Sequence, residues 1–310
     1  MALTAEQQAI RSQGIGSSEI AAVAGLDPYA GPMDVYLRKR GLIEHAETEA
    51  MARGRWLEPV LARWFEEEHE VTLVPGATVR DERRPWMLAT PDYLVQGEIV
   101  ECKTAGLRQA HRWGEPGTDE VPESYLAQVQ WQMAVVGAAR ASVVVLLATE
   151  YLPRVYVVRA DREIQDGLAE LGGRFWHRHV EAGVPPTPDA SEATKAWLRA
   201  TYPHHVAALR PPTHGEIDLV TAYRAARRSR EASERLEEEI KAKLCASIGE
   251  AEGIAGEWGR ITWKSAKGSR RTDWEALARF LGATEQQIAQ HTTETAGSRR
   301  FLARWAAEEE

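Results

Sequence analysis

Cysteine is almost missing from this chain: its 310 residues include two, Cys102 and Cys245. They stand far apart, with no CxxC and no Cys/His spacing, so neither a zinc or iron–sulfur site nor a disulfide framework is indicated. Long apolar runs are missing as well. The longest, Val143–Ala148, suits a buried strand and falls far short of a bilayer span. The opening segment MALTAEQQAI has no apolar signal core. These absences predict a cytoplasmic protein with no membrane part. Excess positive charge is also lacking. The net charge is −8 and the pI about 5.7, so any contact with nucleic acid has to come from local basic patches. No internal repeat, helix-turn-helix or zinc-finger pattern occurs, so base-specific readout is not expected.

The chain is 44% hydrophobic with 11 tryptophans, enough for one full domain and a smaller second one. Ser17–Gly25 reads as a short helix with serine at its cap, and Met33–Gly41 as another. Residues 46–68 read as a long helix with an apolar stripe at Trp56, Leu57, Val60, Leu61, Trp64 and Phe65. Strand character follows at Val71–Arg80, Trp86–Val95 and Ile99–Lys103, the last two joined by the tight turn QGE, which implies an antiparallel pair. Glu123–Val136 has helical period, Ser142–Thr149 and Arg154–Ala160 are β-rich, and Arg162–Ala182 is helical again. This order predicts an α/β fold, with a central mixed β-sheet flanked by helices. Proline then clusters in VPPTPD and LRPPTHG, bracketing a short helix. The expected division is 1–208 for the core domain and 209–310 for a C-terminal extension. In the extension, Glu216–Ile248 reads as a long charged helix, Glu257–Lys267 as strands, and Asp273–Leu281 as a last helix.

The chemistry concentrates in TPDYLVQGEIVECKTA, residues 90–105. Alternate strand residues share a face, so Glu101 and Lys103 point the same way while Cys102 enters the packing. Asp92 lies across the hairpin and can converge on them. Two carboxylates and a lysine at one point suit phosphodiester hydrolysis. Carboxylates hold Mg²⁺, a hard ion (with Mn²⁺ as substitute), and Cys102 can add its backbone carbonyl. The lysine can orient or deprotonate the attacking water and stabilise developing charge. The pattern alone is weak, because Glu-x-Lys on a strand is commonly a solvated pair.

Three further elements surround it. Glu58 sits beside the apolar stripe of its helix, where a carboxylate is costly to bury unless paired; the bland alternative places it at the stripe's edge in water. Gln128 lies one turn from Tyr125 and can hold a lysine, a water or a phosphate, or simply face solvent. Gln130 is offset toward another face and is the weaker candidate. Ser17 and Ser18, with free N–H groups at a helix start, make an anion site that Arg11 can fold back to join; taken alone, a plain helix cap is the better reading of the serines.

Taken together, RSQGIGSSEIAAVAG, RGRWLEP, MLATPDYL, VECKTA and ESYLAQVQWQM resemble, in that order, the phage lambda exonuclease and YqaJ-like viral recombinase family of PD-(D/E)xK nucleases. The resemblance covers roughly residues 11–186. It implies a PD-(D/E)xK nuclease core. Asp92 and Glu101 match the metal ligands, Lys103 the catalytic lysine, Glu58 the helix glutamate and Gln128 the active-site glutamine. Arg11 and Ser18, with Ser17, match the group that holds the 5′-phosphate of a DNA end. It further implies a Mg²⁺-dependent 5′–3′ exonuclease on double-stranded DNA ends that leaves 3′ single strands for a single-strand annealing protein. A homo-oligomer is implied too, the lambda enzyme being a ring trimer, and a phage or prophage origin in a bacterial host. Two departures stand out. Arg53 replaces the tryptophan often found before the glycine of RGRWLEP, and the tail beyond about 214 has no lambda counterpart. That tail resembles the extension of some YqaJ-like members, including SRRFL at 298–302.

Basic clusters that could hold a phosphate backbone are Arg38–Arg40, Arg53 with Arg55, Arg108 with Arg112, Arg224–Arg230, Lys264–Arg271, and Arg299 with Arg300; for Arg224–Arg230 a solvated helix face is the better reading. The competing functions are an endonuclease of the same superfamily and a non-catalytic DNA-binding recombination protein. A Cas4-like nuclease is disfavoured, since two cysteines cannot build a four-cysteine cluster.

Overall fold

The computed structural model describes residues 10–43, 48–107, 109–265 and 272–292. Residues 1–9, Arg108, 266–271, the pair Arg299 and Arg300, and SRRFL lie outside the described residues, as do 46–47 of the expected long helix. The chain divides between Pro203 and His204 into two units.

The first unit is built on a five-stranded mixed sheet. Its strands are β2 (Val74–Pro75), β5 (Tyr93–Val95), β6 (Glu98–Ala105), β7 (Arg140–Leu147) and β8 (Arg154–Arg159), side by side in that order. The β5–β6 pair is antiparallel, as its QGE turn requires: Gln96 and Gly97 both take positive φ there, at 50° and 81°. The β6–β7 pair is parallel, with Glu101 opposite Val143 and Lys103 opposite Val145. A parallel pair needs a crossover, and α4 (Glu123–Val136) lies in that connection. β7 is a β-branched run whose Val143, Val144 and Val145 are fully buried, as expected of a strand covered on both faces.

The two sheet faces pack against different helices. On one, Ile99, Ala105, Val143 and Val145 cluster with Val129 and Met133 of α4. On the other, Val100, Cys102, Val144 and Tyr93 cluster with Leu61, Ala62 and Phe65 of α3 (Glu49–His69). A smaller sheet joins β1 (Ile15–Gly16) in parallel to β4 (Met87–Ala89), and β4 antiparallel to β3 (Val79–Arg80). It carries α1 (Ser17–Val23) against α4. With α2 (Pro32–Lys39) and α5 (Arg162–Phe175), these elements form a third cluster around Ile20, Leu37, Trp131 and Phe175. Gly172 of α5 permits this closeness: a Cβ there would stand 2.7 Å from the Trp131 ring. After Phe175 the helix loosens into a π-helical stretch, Trp176–Glu181, and α6 (Glu192–Thr201) follows.

A mixed sheet flanked by helices is therefore what folds, but several boundaries differ from expectation. The stripe on α3 is narrower than its periodicity suggests. Trp56 is 74% and Val60 60% exposed, because only the face carrying Leu61, Ala62 and Phe65 meets the sheet. The two strands expected across 71–95 break into four short ones, β2 to β5. Pro75, Gly76 and Pro91 interrupt them, and Gly76 passes so close to the Pro91 carbonyl that no side chain fits. The serine expected as cap of α1 lies inside the helix. Gly16 precedes it, and Glu19 reaches back to accept the Gly16 N–H at 2.8 Å.

The second unit contains α7 (His214–Ile248), 35 residues long, so about 52 Å at 1.5 Å per residue. Thr213 and Glu216 cap it reciprocally: Glu216 accepts the Thr213 N–H at 2.7 Å and donates its own N–H to the Thr213 hydroxyl. Strands β9 (Gly253–Gly256) and β10 (Gly259–Thr262) form an antiparallel hairpin. The strands thus begin before the expected 257, and Glu257–Trp258 are the turn, because Gly259 takes the positive φ that closes it. Helices α8 (Trp274–Phe280) and α9 (Glu285–Gln290) come after the hairpin. No described helix is long and apolar enough to cross a membrane.

Candidate active site

The site forms where β5 and β6 part. Their register pairs Tyr93 with Val100. Continued, it would set Cys102 opposite Pro91, which has no N–H to give the ladder. The Cys102 N–H goes not to the Pro91 carbonyl but to the Asp92 side chain, whose Oδ2 accepts it at 2.8 Å. A carboxylate thus takes a β6 backbone N–H at the point where the β5–β6 ladder stops.

Glu101 and Lys103 share the β6 face that looks toward α4. Glu101 is 2% exposed, and a carboxylate this buried needs partners. Its Oε1 accepts from Lys103 Nζ at 2.6 Å and from Gln128 Nε2 at 2.5 Å, and its Oε2 accepts from Gln132 Nε2 at 2.9 Å. Lys103 Nζ also lies 5.3 Å from the centre of the Tyr125 ring. The three α4 residues facing the Glu101–Lys103 pair, Tyr125, Gln128 and Gln132, are spaced three and four apart, one helical face.

The electrostatics bind these groups into one cluster. Burial, then the charges of Glu101 and Glu58, push the Asp92 carboxyl well above the usual carboxylate range, against the pull of Lys103. Burial alone would lower the Lys103 ammonium, but Glu101 and Asp92 outweigh it and hold it above an ordinary lysine. Burial and the carboxylates of Asp92 and Glu101 push the Cys102 thiol up, which keeps it neutral. Glu58 comes from α3, on the opposite sheet face, and reaches the edge where Asp92 stands. Tyr93 registers it: burial, then the charge of Glu58 and a hydrogen bond to it, raise the phenol to about 12.

A second grouping lies at the start of α1. Arg11 Nη2 donates to Ser18 Oγ at 2.9 Å, and Ser18 is exposed. Ser17 is buried and turned the other way, its Oγ 3.4 Å from Gln132 Nε2. Lys39 of α2, its side chain 5% exposed, ion-pairs with Glu19 at 2.6 Å and donates to the Arg11 carbonyl at 2.7 Å.

The structure thus brings Asp92, Glu101, Lys103, Gln128 and Glu58 together, and Arg11 with Ser18. Gln130 stands apart. Its amide donates to the Arg159 carbonyl at 2.7 Å and accepts the Asp161 N–H at 3.0 Å, tying α4 to the β8–α5 junction. Two residues went unread in the sequence. Gln132 carried a signal, since it follows Gln128 by one turn. Lys39 carried the opposite one, being counted in a basic cluster for DNA. Within that cluster the Lys39 side chain points inward to Glu19, and Arg40, though exposed, donates to the Val180 carbonyl, so both brace the fold. In Arg224–Arg230, Arg227 and Arg230 pair with Glu231 and Glu234 one turn on, the solvated face that was expected.

Among the described residues, no three His, Cys, Asp or Glu side chains stand close enough to cage a metal by themselves. The residues that could supply oxygen ligands are Asp92 and Glu101, with Glu58 in electrostatic range of Asp92. That fits a hard ion such as Mg²⁺, which keeps several waters and takes one or two protein carboxylates. It does not fit zinc, for which nitrogen and sulfur ligands are wanted.

Residues 6–139 match the YqaJ-like viral recombinase domain. The protein YqaJ of Bacillus subtilis (strain 168) is 30% identical over 199 residues, 62% of this chain and 61% of that protein, so the chain spans about three fifths of its relative's length. Among solved structures, the alkaline exonuclease LHK-Exo of Laribacter hongkongensis superposes with a TM-score of 0.48 at 17% identity, over 64% of this chain and 98% of that one. A phage-related exonuclease of Haemophilus somnus 129PT does so with 0.42 at 13% identity, over 55% and 96%. The resemblance carried by the motifs is borne out by the domain match and by YqaJ.

Proposed function

We propose that this chain, whose residues 6–139 match the YqaJ-like viral recombinase domain, is a Mg²⁺-dependent nuclease that digests double-stranded DNA from its 5′ ends and leaves 3′ single strands for recombination. One observation carries the reading: the buried Glu101 carboxylate gathers Lys103 and Gln128, and a second carboxylate, Asp92, stands beside it where the β5–β6 ladder stops. A buried ion pair is a poor way to stabilise a fold, whereas acids and an amine converging at an edge are what phosphodiester hydrolysis uses.

Asp92 and Glu101 would hold the ion, with the Cys102 carbonyl, and Glu58 would help place it; Mn²⁺ would serve as well. The ion, when bound, supplies charge neutralisation at the scissile phosphate. Lys103 orients the attacking water by its N–H bonds and stabilises the negative charge that grows on the phosphate. Gln128 fixes the Glu101 carboxylate so that one oxygen faces the lysine. Arg11 and Ser18, with Ser17 beneath, would hold the terminal 5′-phosphate. The Arg11 fork and an exposed hydroxyl form a compact donor set suited to such an anion. Polarity rests on this end-holding role and on the motif resemblance.

Digestion of linear duplexes separates the readings. DNA with 5′-phosphate or 5′-hydroxyl ends, beside a covalently closed plasmid, would be incubated with Mg²⁺, Mn²⁺ or chelator. The expected result is metal-dependent loss of linear duplex, faster from 5′-phosphate, with the plasmid intact. Cleavage of the plasmid would favour the endonuclease. No cleavage with either metal would leave a DNA-binding recombination protein. We assign the core domain to 1–208, and to 209–310 a role in self-association or in contact with a single-strand annealing protein, in the cytoplasm of a phage-infected or lysogenic bacterium.

A further inference from the structure

Gln132 occupies a slot that an apolar residue would fill at lower cost. It is fully buried in α4, and its Oε1 has no hydrogen-bond partner. A buried acceptor left without a donor carries a desolvation penalty, so the side chain makes sense through its amide N–H groups. Both point at named atoms. One faces Glu101 Oε2 at 2.9 Å, the other Ser17 Oγ at 3.4 Å. Rotating the amide by half a turn would press its oxygen onto the Glu101 carboxylate, so the carboxylate holds the orientation.

The two partners belong to different parts of the site. Glu101 is in the cleavage cluster. Ser17 is the first residue of α1, next to Ser18, whose hydroxyl takes the Arg11 N–H. All three side chains of the Glu101–Gln132–Ser17 line are excluded from water, so a small displacement at one end has no solvent to absorb it.

We propose that Gln132 is a positioning residue that couples occupancy of the Arg11–Ser18 end site to the placement of Glu101. The inference rests on the nuclease reading above. A terminal phosphate held by Arg11 and Ser18 settles the first turn of α1, Ser17 moves with it, and Gln132 carries the change to the acid that sits at the scissile phosphate. The substrate consequence is a preference for phosphorylated ends expressed in the rate of cleavage as well as in binding.

The test measures kcat and KM on linear duplexes with 5′-phosphate and 5′-hydroxyl ends, for the wild-type protein, Gln132→Leu and Ser17→Ala, each with its melting temperature recorded. Gln132→Leu keeps most of the volume and removes both donors. Ser17→Ala cuts the same line at its other end and stands in should the leucine variant not fold. The expected outcome is that the phosphate-to-hydroxyl ratio of kcat falls about fivefold or more in both variants, with KM for the phosphorylated end unchanged in Gln132→Leu. A ratio equal to wild type in a folded variant overturns the coupling. That holds whether its rates are normal (Gln132 is filler) or equally reduced on both ends (Gln132 supports Glu101 alone). If the wild-type protein digests neither duplex with Mg²⁺ or Mn²⁺, the nuclease reading itself has failed, which is a different result.

Discussion

The Lys103 ammonium stands 2.6 Å from Oε1 of Glu101, and the two residues are separated on β6 by Cys102, whose N–H is held by Asp92 from across the hairpin. One strand therefore sends an acid and an amine to one face and a main-chain group to the second acid. Replacing Lys103 with alanine removes the donor while Gln128 and Gln132 still hold the carboxylate. Cleavage is expected to fall by about 10²–10³-fold, the cost of losing one preorganised charge-stabilising donor. Binding of duplex DNA, measured in chelator by a shift assay, should stay within a few-fold of wild type. If Lys103→Ala cuts at the wild-type rate, the site is assigned wrongly.

Carboxylates that repel one another release that strain when a cation joins them. Asp92 is raised by burial and by Glu101 and Glu58, so a divalent ion should raise the stability of the whole first unit. At a concentration about a hundred times its dissociation constant the gain is about 2.7 kcal/mol. Thermal melts with Mg²⁺, Mn²⁺ and chelator measure it without any reference to activity. Asp92→Asn should abolish the metal-dependent increment. An increment that persists in Asp92→Asn would put the ion elsewhere.

Much of this arrangement is legible in the sequence because it is periodic or punctuated. Alternation puts Glu101 and Lys103 on one face, the QGE turn pairs β5 with β6, and the four-residue step from Gln128 already marks Gln132. The misreadings come where a local pattern has no say over its partner. The apolar stripe of α3 is real, but which side meets the sheet depends on strands downstream, so Trp56 and Val60 stay in water. A basic run such as Arg38–Arg40 looks solvent-facing until Glu19, twenty residues earlier, draws Lys39 inside.

The tail offers a simple separation. Every residue assigned to the site precedes Pro203, where the first unit ends. A chain ending at 208, which includes all of that unit, should keep metal-dependent digestion of linear DNA within a few-fold. Sedimentation should show a smaller assembly than the full chain if α7 and the elements beyond it mediate self-association. An unchanged oligomer that still binds an annealing partner would refute the role given to the tail.

The Glu19–Lys39 pair is the most telling target outside the cleavage cluster, because three bonds converge on it. Glu19 takes the Gly16 N–H, Lys39 pairs with Glu19, and Lys39 holds the Arg11 carbonyl. Burial lowers the Lys39 ammonium, and Glu19 offsets much of that cost. Lys39→Met leaves Glu19 buried without its cation, which costs about 3 kcal/mol or more. Lys39→Met with Glu19→Gln, of similar volume and without charge, should recover most of that in urea denaturation. What the double variant should not recover is the backbone anchor on Arg11. Its preference for 5′-phosphorylated over 5′-hydroxyl ends is therefore expected to stay reduced while its fold is restored. A double variant as stable as wild type that discriminates the two ends equally well would mean that Lys39 only fills space and that Arg11 is placed by other contacts.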